Sequence, residues 1–259
     1  MRSFLLPALA RVALQTAFQY RASFWLEFLF GSANAIGVCA PLFFVYAQVP
    51  TVAGWSFPEA MLVTAFFLCF SGLVAGLIEP NLGAVVDGVR TGALDYLLVK
   101  PRDAQLVMSF RKVAPAAIWE VLAGIIVGGW ALSQVPPPTP SAIAAAIVML
   151  IAGLMAVYGL WLFVVCLSFW FVRVDNLRYL LSAITDAGRW PVTVYTGWAR
   201  VLLTAVIPVA LVTSFPAMAL LGRLDVGLAS QAVGVAVGML TGSRIAWRYA
   251  IRHYTSASS

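Results

Sequence analysis

The stretch AIAAAIVMLIAGLMAVYGLWLFVVCLSFWFV, residues 142–172, contains no charged side chain. A helix of about 20 apolar residues crosses the roughly 30 Å hydrocarbon core of a bilayer, so this stretch is long enough to span a membrane. The whole 259-residue chain has the same character, since 62% of its residues are hydrophobic and only 10% are charged. A soluble domain carries about 25% charged residues to cover its water-facing surface. The sequence therefore predicts an all-α integral membrane protein that forms one domain over residues 1–259.

Other apolar runs of spanning length lie on both sides of this stretch, at 24–47, 60–78, 113–132 and 226–247. Arginines stand before the first run and at the end of the last one, at Arg2, Arg11, Arg21, Arg244, Arg248 and Arg252. Because Lys and Arg collect on the cytoplasmic side, both termini are predicted to be cytoplasmic and the number of crossings to be even. The expected location is a bacterial-type cytoplasmic (inner) membrane. The net charge of +6 is then attributed to basic cytoplasmic loops. We expect membrane lipids as partners and no nucleic acid.

The apolar segment 173–225 is interrupted by charged residues and prolines, and it allows two six-span topologies. In the first, span five is 201–221 and 173–200 is a basic cytoplasmic loop. In the second, span five is 176–194, and 195–222 forms a pair of proline-broken half-helices in the outer leaflet. Broken backbone at membrane depth must pack on protein or line a cavity, so the second topology would place this hairpin at a pathway or interface. The distribution of charge alone favours the first topology.

Residues 1–23 are predicted to form an amphipathic helix in the cytoplasmic interface. Arg11, Gln15 and Gln19 fall on one helical face, with apolar residues on the others. Such a helix lies along the membrane surface before the chain enters the bilayer. A plain cytosolic extension of the first span is the alternative.

The loop 79–112 is the large cytoplasmic element of this topology, because it holds Arg90, Lys100, Arg102, Arg111 and Lys112. Its centre alternates apolar and charged positions in a way that predicts short amphipathic helices around a Gly88/Gly92 break, ended by Pro101. A loop helix resting on the bilayer surface would show the same periodicity.

The sequence GVRTGALDYLLVKP, residues 88–101, resembles the cytoplasmic motif in permease subunits of type-2 ATP-binding-cassette exporters. In that motif a basic residue and Gly are followed by Leu-Asp, an apolar pair, and a basic residue before Pro. The matching positions are Arg90, Gly92, Leu94, Asp95, Leu97, Leu98, Lys100 and Pro101. Lys100 stands where Arg is more usual, which keeps the charge and loses the planar guanidinium. The resemblance covers most of the chain and favours the second topology, with outer-leaflet half-helices between spans five and six.

The resemblance implies a division of labour between separate subunits. The loop between spans two and three would form a coupling helix that docks on a cytosolic ATPase, with Val89, Leu94, Leu97 and Leu98 as apolar anchors and Arg90 and Asp95 setting the register. Two ATPase subunits would bind ATP and Mg, and a second permease, identical or homologous, would complete the exporter. The chain itself would hold no cofactor. Its transported substrate, and the choice between homodimer and heterodimer, are not specified by any motif.

The sequence lacks the residues that several kinds of catalytic and cofactor site require. No GxxxxGK[ST] phosphate-binding loop occurs, so ATP hydrolysis would belong to a partner and this subunit would not be an enzyme. A single histidine, His253, and three scattered cysteines argue against zinc, haem and serine-protease sites.

Glu120 is the one carboxylate well inside a clear span. Ionisable residues are costly inside a membrane, so a protonatable Glu120 could serve an ion-gradient-driven carrier or channel, which is the alternative function. A purely structural buried Glu is the simpler interpretation. Asp186 and Arg189 are expected to form an ion pair in the weak fifth span, and Gly234 and Gly238 form a GxxxG pattern that permits close helix approach.

Overall fold

The computed structural model describes residues 21–98, 103–109, 111–170, 183 and 185–254. Within these residues the chain is almost entirely helical, which confirms the prediction of an all-α membrane protein in its general form. Five described helices are long and apolar enough to cross a membrane, and a bent pair of helices makes a possible sixth. The α-helices are α1 Arg21–Tyr46, α2 Phe57–Leu73, α3 Glu79–Thr91, α4 Asp95–Leu98, α5 Ala104–Ser109, α6 Ile118–Ser133, α7 Pro140–Leu167, α8 Gly197–Val201, α9 Ser214–Leu220 and α10 Val226–Arg252.

Short turns of other helical types join these elements. π-Helical turns occur at Val74–Ile78 and Leu202–Val206, and 3₁₀ turns occur at Pro115–Ala117, Asp186–Arg189, Val192–Val194 and Val209–Leu211. The predicted interfacial helix 1–23 lies outside the described residues except for its last three positions. Residues 176–182 and 184 of the predicted span 176–194 also lie outside them.

A two-residue β-hairpin joins α1 to α2, where the sequence had indicated only a loop. Strands β1 Thr51–Val52 and β2 Trp55–Ser56 are antiparallel, with Val52 opposite Trp55. Ala53 and Gly54 form the turn with φ values of 50° and 82°. Two consecutive positive φ angles give the turn whose twist matches that of the paired strands. The end of the helical bundle that carries this hairpin is called the hairpin end below, and the opposite end, which carries α3, α4 and α5, is called the loop end.

The second apolar run continues as helix well beyond its predicted end at residue 78. α2, the π turn and α3 form one helical segment of 35 residues, Phe57–Thr91. Pro80 has no N–H to donate to the carbonyl of Gly76, and its ring would crowd that carbonyl in a regular α-helix. The π turn at Val74–Ile78 accommodates the proline without ending the helix, and the Gly76 carbonyl instead accepts a hydrogen bond from the Ala114 N–H at 2.9 Å.

Glycines bring α2 and α6 into close contact. A Cβ atom added at Gly124 would lie 2.6 Å from Cys69 Sγ and 2.8 Å from the Ala65 carbonyl oxygen. A Cβ atom added at Gly72 would lie 2.8 Å from the carbonyl oxygen of Ala117, in the 3₁₀ turn that leads into α6. By contrast, added Cβ atoms at Gly234 and Gly238 would meet no described atom within 4 Å. The GxxxG pattern in α10 therefore packs on no other described part of this chain.

The segment after the Asp186–Arg189 turn begins and ends at the hairpin end. Near its start, the Trp55 indole N–H donates to Thr193 Oγ1 at 2.8 Å. Near its finish, Arg223 donates to both carboxylate oxygens of Glu59, at 2.5 and 3.2 Å. Between these contacts the helical segments Gly197–Thr204 and Val209–Leu220 meet at an angle of 63°. The residues 201–221 are therefore not one straight helix, because the chain breaks at Ile207 and Pro208.

The second half of this bent segment is the most deeply buried part of the described chain. Val209, Val212, Thr213, Ser214 and Ala217 are fully enclosed. The Ser214 hydroxyl accepts a hydrogen bond from the Val192 N–H at 2.9 Å. Broken backbone is tolerated inside a membrane where it packs in protein and finds polar partners there, as the Val192 N–H does.

Candidate functional site at the loop end

The helical segment Phe57–Thr91 is longer than a membrane requires. Its 35 residues correspond to about 52 Å of helix, against a hydrocarbon core of about 30 Å. α3 is its last third, and it buries Leu82, Val85 and Val86 along one face. Asp87 and Arg90 lie on the opposite face, 3.6 Å apart, with side chains 71% and 63% exposed. A pair so exposed adds little stability, and it leaves both charges available to another molecule.

Gly92 ends α3 and reverses the chain direction. Its φ of 74° and ψ of 0° place it in the left-handed region, which glycine adopts without strain. Two hydrogen bonds fix the reversal, from the Leu94 N–H to the Gly88 carbonyl at 3.1 Å and from the Asp95 N–H to the Gly92 carbonyl at 3.2 Å. The four-residue α4 follows at once. We call residues 87–98 the elbow.

Leu94 points into the bundle and not towards solvent. It is 1% exposed and belongs to an apolar cluster with Val85, Met108, Trp247 and Ala250. The expectation that Leu94 itself docks on a partner is corrected by this burial, because a partner cannot reach the side chain in this conformation. Leu94 instead fastens the elbow to the apolar cluster that also contains the end of α10.

The other predicted coupling residues surround this anchor. Val89 and Asp95 are half-buried, Arg90 is exposed, and Gly92 forms the reversal. Leu97 and Leu98 lie in α4, and Lys100 and Pro101 lie outside the described residues. Val89, Arg90, Gly92, Leu94 and Asp95 therefore all lie in the elbow, and their role in coupling to an ATPase stays a prediction.

Tyr96 is a large exposed side chain of the elbow, with 73% of its surface exposed. Tyr96 was not among the predicted coupling residues, although it lies between Asp95 and Leu97 in the motif at 88–101. Tyrosine is one of the residues that most often carry binding energy in protein interfaces. The only signal in the sequence was an aromatic residue in a loop otherwise rich in aliphatic and charged residues.

The second residue after α10, Tyr254, completes the loop end. Tyr254 packs on the apolar cluster of the elbow and stands in edge contact with Phe169, at 5.6 Å between ring centroids. Burial raises the pKa of the Tyr254 hydroxyl, and the nearby Asp95 carboxylate raises it further. The elbow therefore meets the end of the described chain through the apolar cluster and through Asp95 beside Tyr254.

Asn81 closes the base of the loop, and the sequence analysis missed it. Its Nδ2 donates to the carbonyls of Leu77 and Lys112, each at 2.6 Å. Its Oδ1 accepts from the backbone N–H groups of Arg111 at 2.8 Å and Lys112 at 2.7 Å. An amide offers two donor hydrogens and two acceptor lone pairs, so this side chain is fully used. Asn81 is 2% exposed and ties the start of the loop to its end.

Glu120 joins three helices and is not isolated. Its carboxylate accepts hydrogen bonds from Asn34 Nδ2 of α1 and from Ser71 Oγ of α2, both at 2.9 Å. These contacts supply the polar partners that a carboxylate requires inside a membrane. They favour the structural interpretation of Glu120, with amide and hydroxyl donors in place of an arginine. The expected ion pair of Asp186 and Arg189 is also confirmed, at 3.5 Å on a 3₁₀ turn.

No group of three His, Cys, Asp or Glu side chains in the described part of the chain is placed to bind a metal ion.

A protein-family model described as "ABC-2 family transporter protein" matches residues 35–258, which is most of the chain and includes the whole loop end. No curated protein and no solved structure matches.

Proposed function

Because this chain belongs to the ABC-2 family of transporters, we propose that it is the permease subunit of an ATP-driven exporter in a cytoplasmic membrane. Two separate cytosolic ATPase subunits would bind ATP and Mg and would dock on the elbow. A second permease subunit, identical or homologous, would complete the pathway. Closure of the ATPases would then drive the permeases between inward and outward access.

The rigid connection between membrane and elbow carries this proposal. α2 and α3 form one continuous helical segment, and an exposed elbow bearing Arg90 and Tyr96 follows directly. A force applied to Tyr96 reaches a membrane-spanning helix without crossing a flexible linker. Leu94 and Tyr254 add a second connection from the elbow to α10.

The distribution of charge supports a cytoplasmic position for the loop end. Arg111 and Lys112 lie there with exposed side chains, and Arg252 ends the last helix on the same side. At the hairpin end, Arg223 is bound to Glu59. By the positive-inside rule, an excess of basic residues at one end supports a cytoplasmic position for that end and for both chain termini.

The bent segment supports the topology with outer-leaflet half-helices. Both its start and its finish contact the hairpin end, through Thr193 and Arg223, so it would enter and leave on the outer side. Trp170 stacks on Tyr249 at the loop end, whereas Thr193 lies at the hairpin end. These opposite positions support a crossing between them, which would be span five.

The test is alanine substitution of Tyr96, with affinity purification in mild detergent and mass spectrometry to identify the ATPase. Loss of a central interface tyrosine costs about 2 kcal/mol, which corresponds to about 30-fold weaker binding. We expect Tyr96→Ala to lose the ATPase while the permease remains inserted. The matched control is Tyr249→Ala, which removes another exposed tyrosine at the loop end and should leave the ATPase bound.

Retention of the ATPase by the double variant Tyr96→Ala, Arg90→Ala would refute docking at the elbow. Leu94→Asp is a poorer test, because it places a charge in the core and is expected to destabilise the permease itself. Transport by the purified chain without any ATPase would refute the proposed function as a whole.

A further inference from the structure

A second polar connection lies beside the elbow, between the loop and α10. Asp103, which precedes α5, binds Arg244 of α10 with both carboxylate oxygens. Arg244 Nη1 lies 3.0 Å from Asp103 Oδ1, and Nη2 contacts Oδ2 in a second, very short contact. The two side chains are only about one-third exposed, at 32% and 31%. Paired contacts of this kind fix orientation as well as distance.

Asp103 also begins α5. Its Oδ1 accepts a hydrogen bond from the Leu106 N–H at 3.3 Å, which caps the first turn of that helix. The hydrogen bond from Arg244 lowers the pKa of the Asp103 carboxyl below its usual value. The carboxylate therefore stays charged for both of its partners at neutral pH.

Arg244 also donates a hydrogen bond to Gln105, which forms a closed ring of hydrogen bonds with Tyr158 and Ser109. Arg244 Nη1 donates to Gln105 Oε1 at 2.5 Å, and Gln105 Nε2 donates to the Tyr158 hydroxyl at 3.2 Å. The Ser109 hydroxyl donates to the Gln105 carbonyl at 2.7 Å, so its single hydrogen is used there. In the 2.5 Å contact between Ser109 Oγ and the Tyr158 hydroxyl, the tyrosine must therefore be the donor. Each hydroxyl in the ring thus donates one hydrogen bond and accepts another.

α5 depends on this arrangement for its position. A helix of six residues is too short to be stable alone in water, so it is held by what it contacts. Gln105 and Ser109 are each 7% exposed, and Met108 of the same helix packs in the apolar cluster that also contains Leu94. Tyr158 belongs to α7 and Arg244 to α10, two helices packed against each other. α5 is therefore joined both to the elbow and to two membrane-spanning helices.

We propose that Asp103 and Arg244 form a latch that makes α5 move as one body with α7 and α10, so that displacement of the elbow is passed to these helices. This inference rests on the proposed docking of an ATPase at the elbow. Arg244 and Asp103 are positioning residues in this scheme, because they act through α5 and need no contact with ATPase or substrate.

The latch predicts a different failure from loss of docking. Without the Asp103–Arg244 contact the elbow surface is intact and the ATPase still binds, but its movement is no longer passed to α10. Tyr96→Ala should instead lose the ATPase itself. Failure of the latch can therefore be distinguished from failure of docking.

The test uses the complete complex in lipid nanodiscs and measures hydrogen exchange of 240–252 with and without ATP and Mg. For Asp103→Asn and for Arg244→Gln, we expect ATPase co-purification within about twofold of wild type. The ATP-dependent change in exchange should fall at least about fivefold. Asp103→Glu, which keeps the charge, should restore at least about half of that change, and Tyr158→Phe, which breaks the ring without changing charge, should weaken it. Asp186→Asn is the control, because it breaks an ion pair that lies away from the loop.

A normal response to ATP in Asp103→Asn and Arg244→Gln would overturn the latch. Loss of the response in Asp103→Asn with no recovery in Asp103→Glu would also overturn it, because the effect would then reflect general destabilisation. If the ATPase is lost from the latch variants, the docking surface extends to α5 and the separation proposed here is wrong.

Discussion

Substitution of Asn81 by alanine gives the sharpest test of how the loop end is held together. The amide of Asn81 makes four hydrogen bonds, all to backbone groups at the two ends of the loop. Alanine removes all four bonds while leaving the helix propensity at this position equal or better. Two carbonyls and two N–H groups then lose a partner at once.

The expected loss in the free energy of unfolding follows from the number of hydrogen bonds removed and from their exposure to water. Each intramolecular hydrogen bond contributes about 0.5–1.5 kcal/mol net, which gives about 2–6 kcal/mol for four. Arg111 and Lys112 are exposed, so water can reach part of the freed backbone and the lower half of that range applies. A loss of about 2–4 kcal/mol corresponds to a fall in the unfolding midpoint of roughly 4–16 °C for a chain of this size.

The measurement is the apparent unfolding midpoint of purified permease in one detergent at a single scan rate, because membrane proteins often unfold irreversibly. Ser230→Ala is the control, since it removes one exposed hydrogen bond to the Gly227 carbonyl and should lower the midpoint by no more than about 4 °C. Equal effects of Asn81→Ala and Ser230→Ala, or a midpoint of Asn81→Ala within about 2 °C of wild type, would refute the reasoning.

Gly124→Ala should destabilise the permease by about 1–3 kcal/mol in the same melting assay, because the new Cβ would overlap Cys69 and Ala65. Gly129→Ala is the control, because its new Cβ would meet no described atom within 4 Å, and it should be neutral or slightly stabilising. Glu120→Gln should keep ATP-dependent transport within about twofold in inverted vesicles; abolished transport would instead support a carrier driven by a proton gradient. The pKa of the Asp103 carboxyl is lowered in the folded state, so the ionised carboxylate stabilises the folded permease. This contribution to the free energy of unfolding is complete above the ordinary Asp pKa of about 3.9, and it is lost as the pH falls through the lower pKa of the folded state. The difference in midpoint between wild type and Asp103→Asn should therefore stay constant from pH 8 to about pH 5 and shrink only below about pH 4; a decline between pH 7 and 5 would contradict this assignment.

Apolar run length was enough to predict the helical membrane fold, but not where its second long helix ends. Pro80 follows a glutamate at the edge of an apolar run, which is a usual signal for a helix end. The structure keeps the helix through it because a π turn forms and the freed Gly76 carbonyl finds the Ala114 N–H. That partner is distant in sequence, so no local pattern could have predicted it.

The motif at 88–101 overlaps most of the elbow, but the roles of its residues depend on tertiary packing. Leu94 and Tyr96 are two positions apart, and one is enclosed while the other is exposed. Amphipathic spacing predicts that one face is buried, and it does not say whether the bundle or a partner buries it. Asn81 and Arg244 were missed because a polar residue in a helix gives no sign of its partners, which here lie 31 and 141 positions away.

The π turn gives the long helix of the permease the properties of a lever with a fixed pivot. From Gly76 to Thr91 is about 22 Å along the axis, so a bend of about 5° at the turn would displace the elbow by about 2 Å. Gly76 is bonded to Ala114, and Asn81, one turn further on, is bonded to Arg111 and Lys112. The pivot is thereby attached to the chain that leads directly into α6, which glycines hold tightly against α2. Small rotations at this point would thus be converted into motion at the ends of the helix, while its middle stays in place.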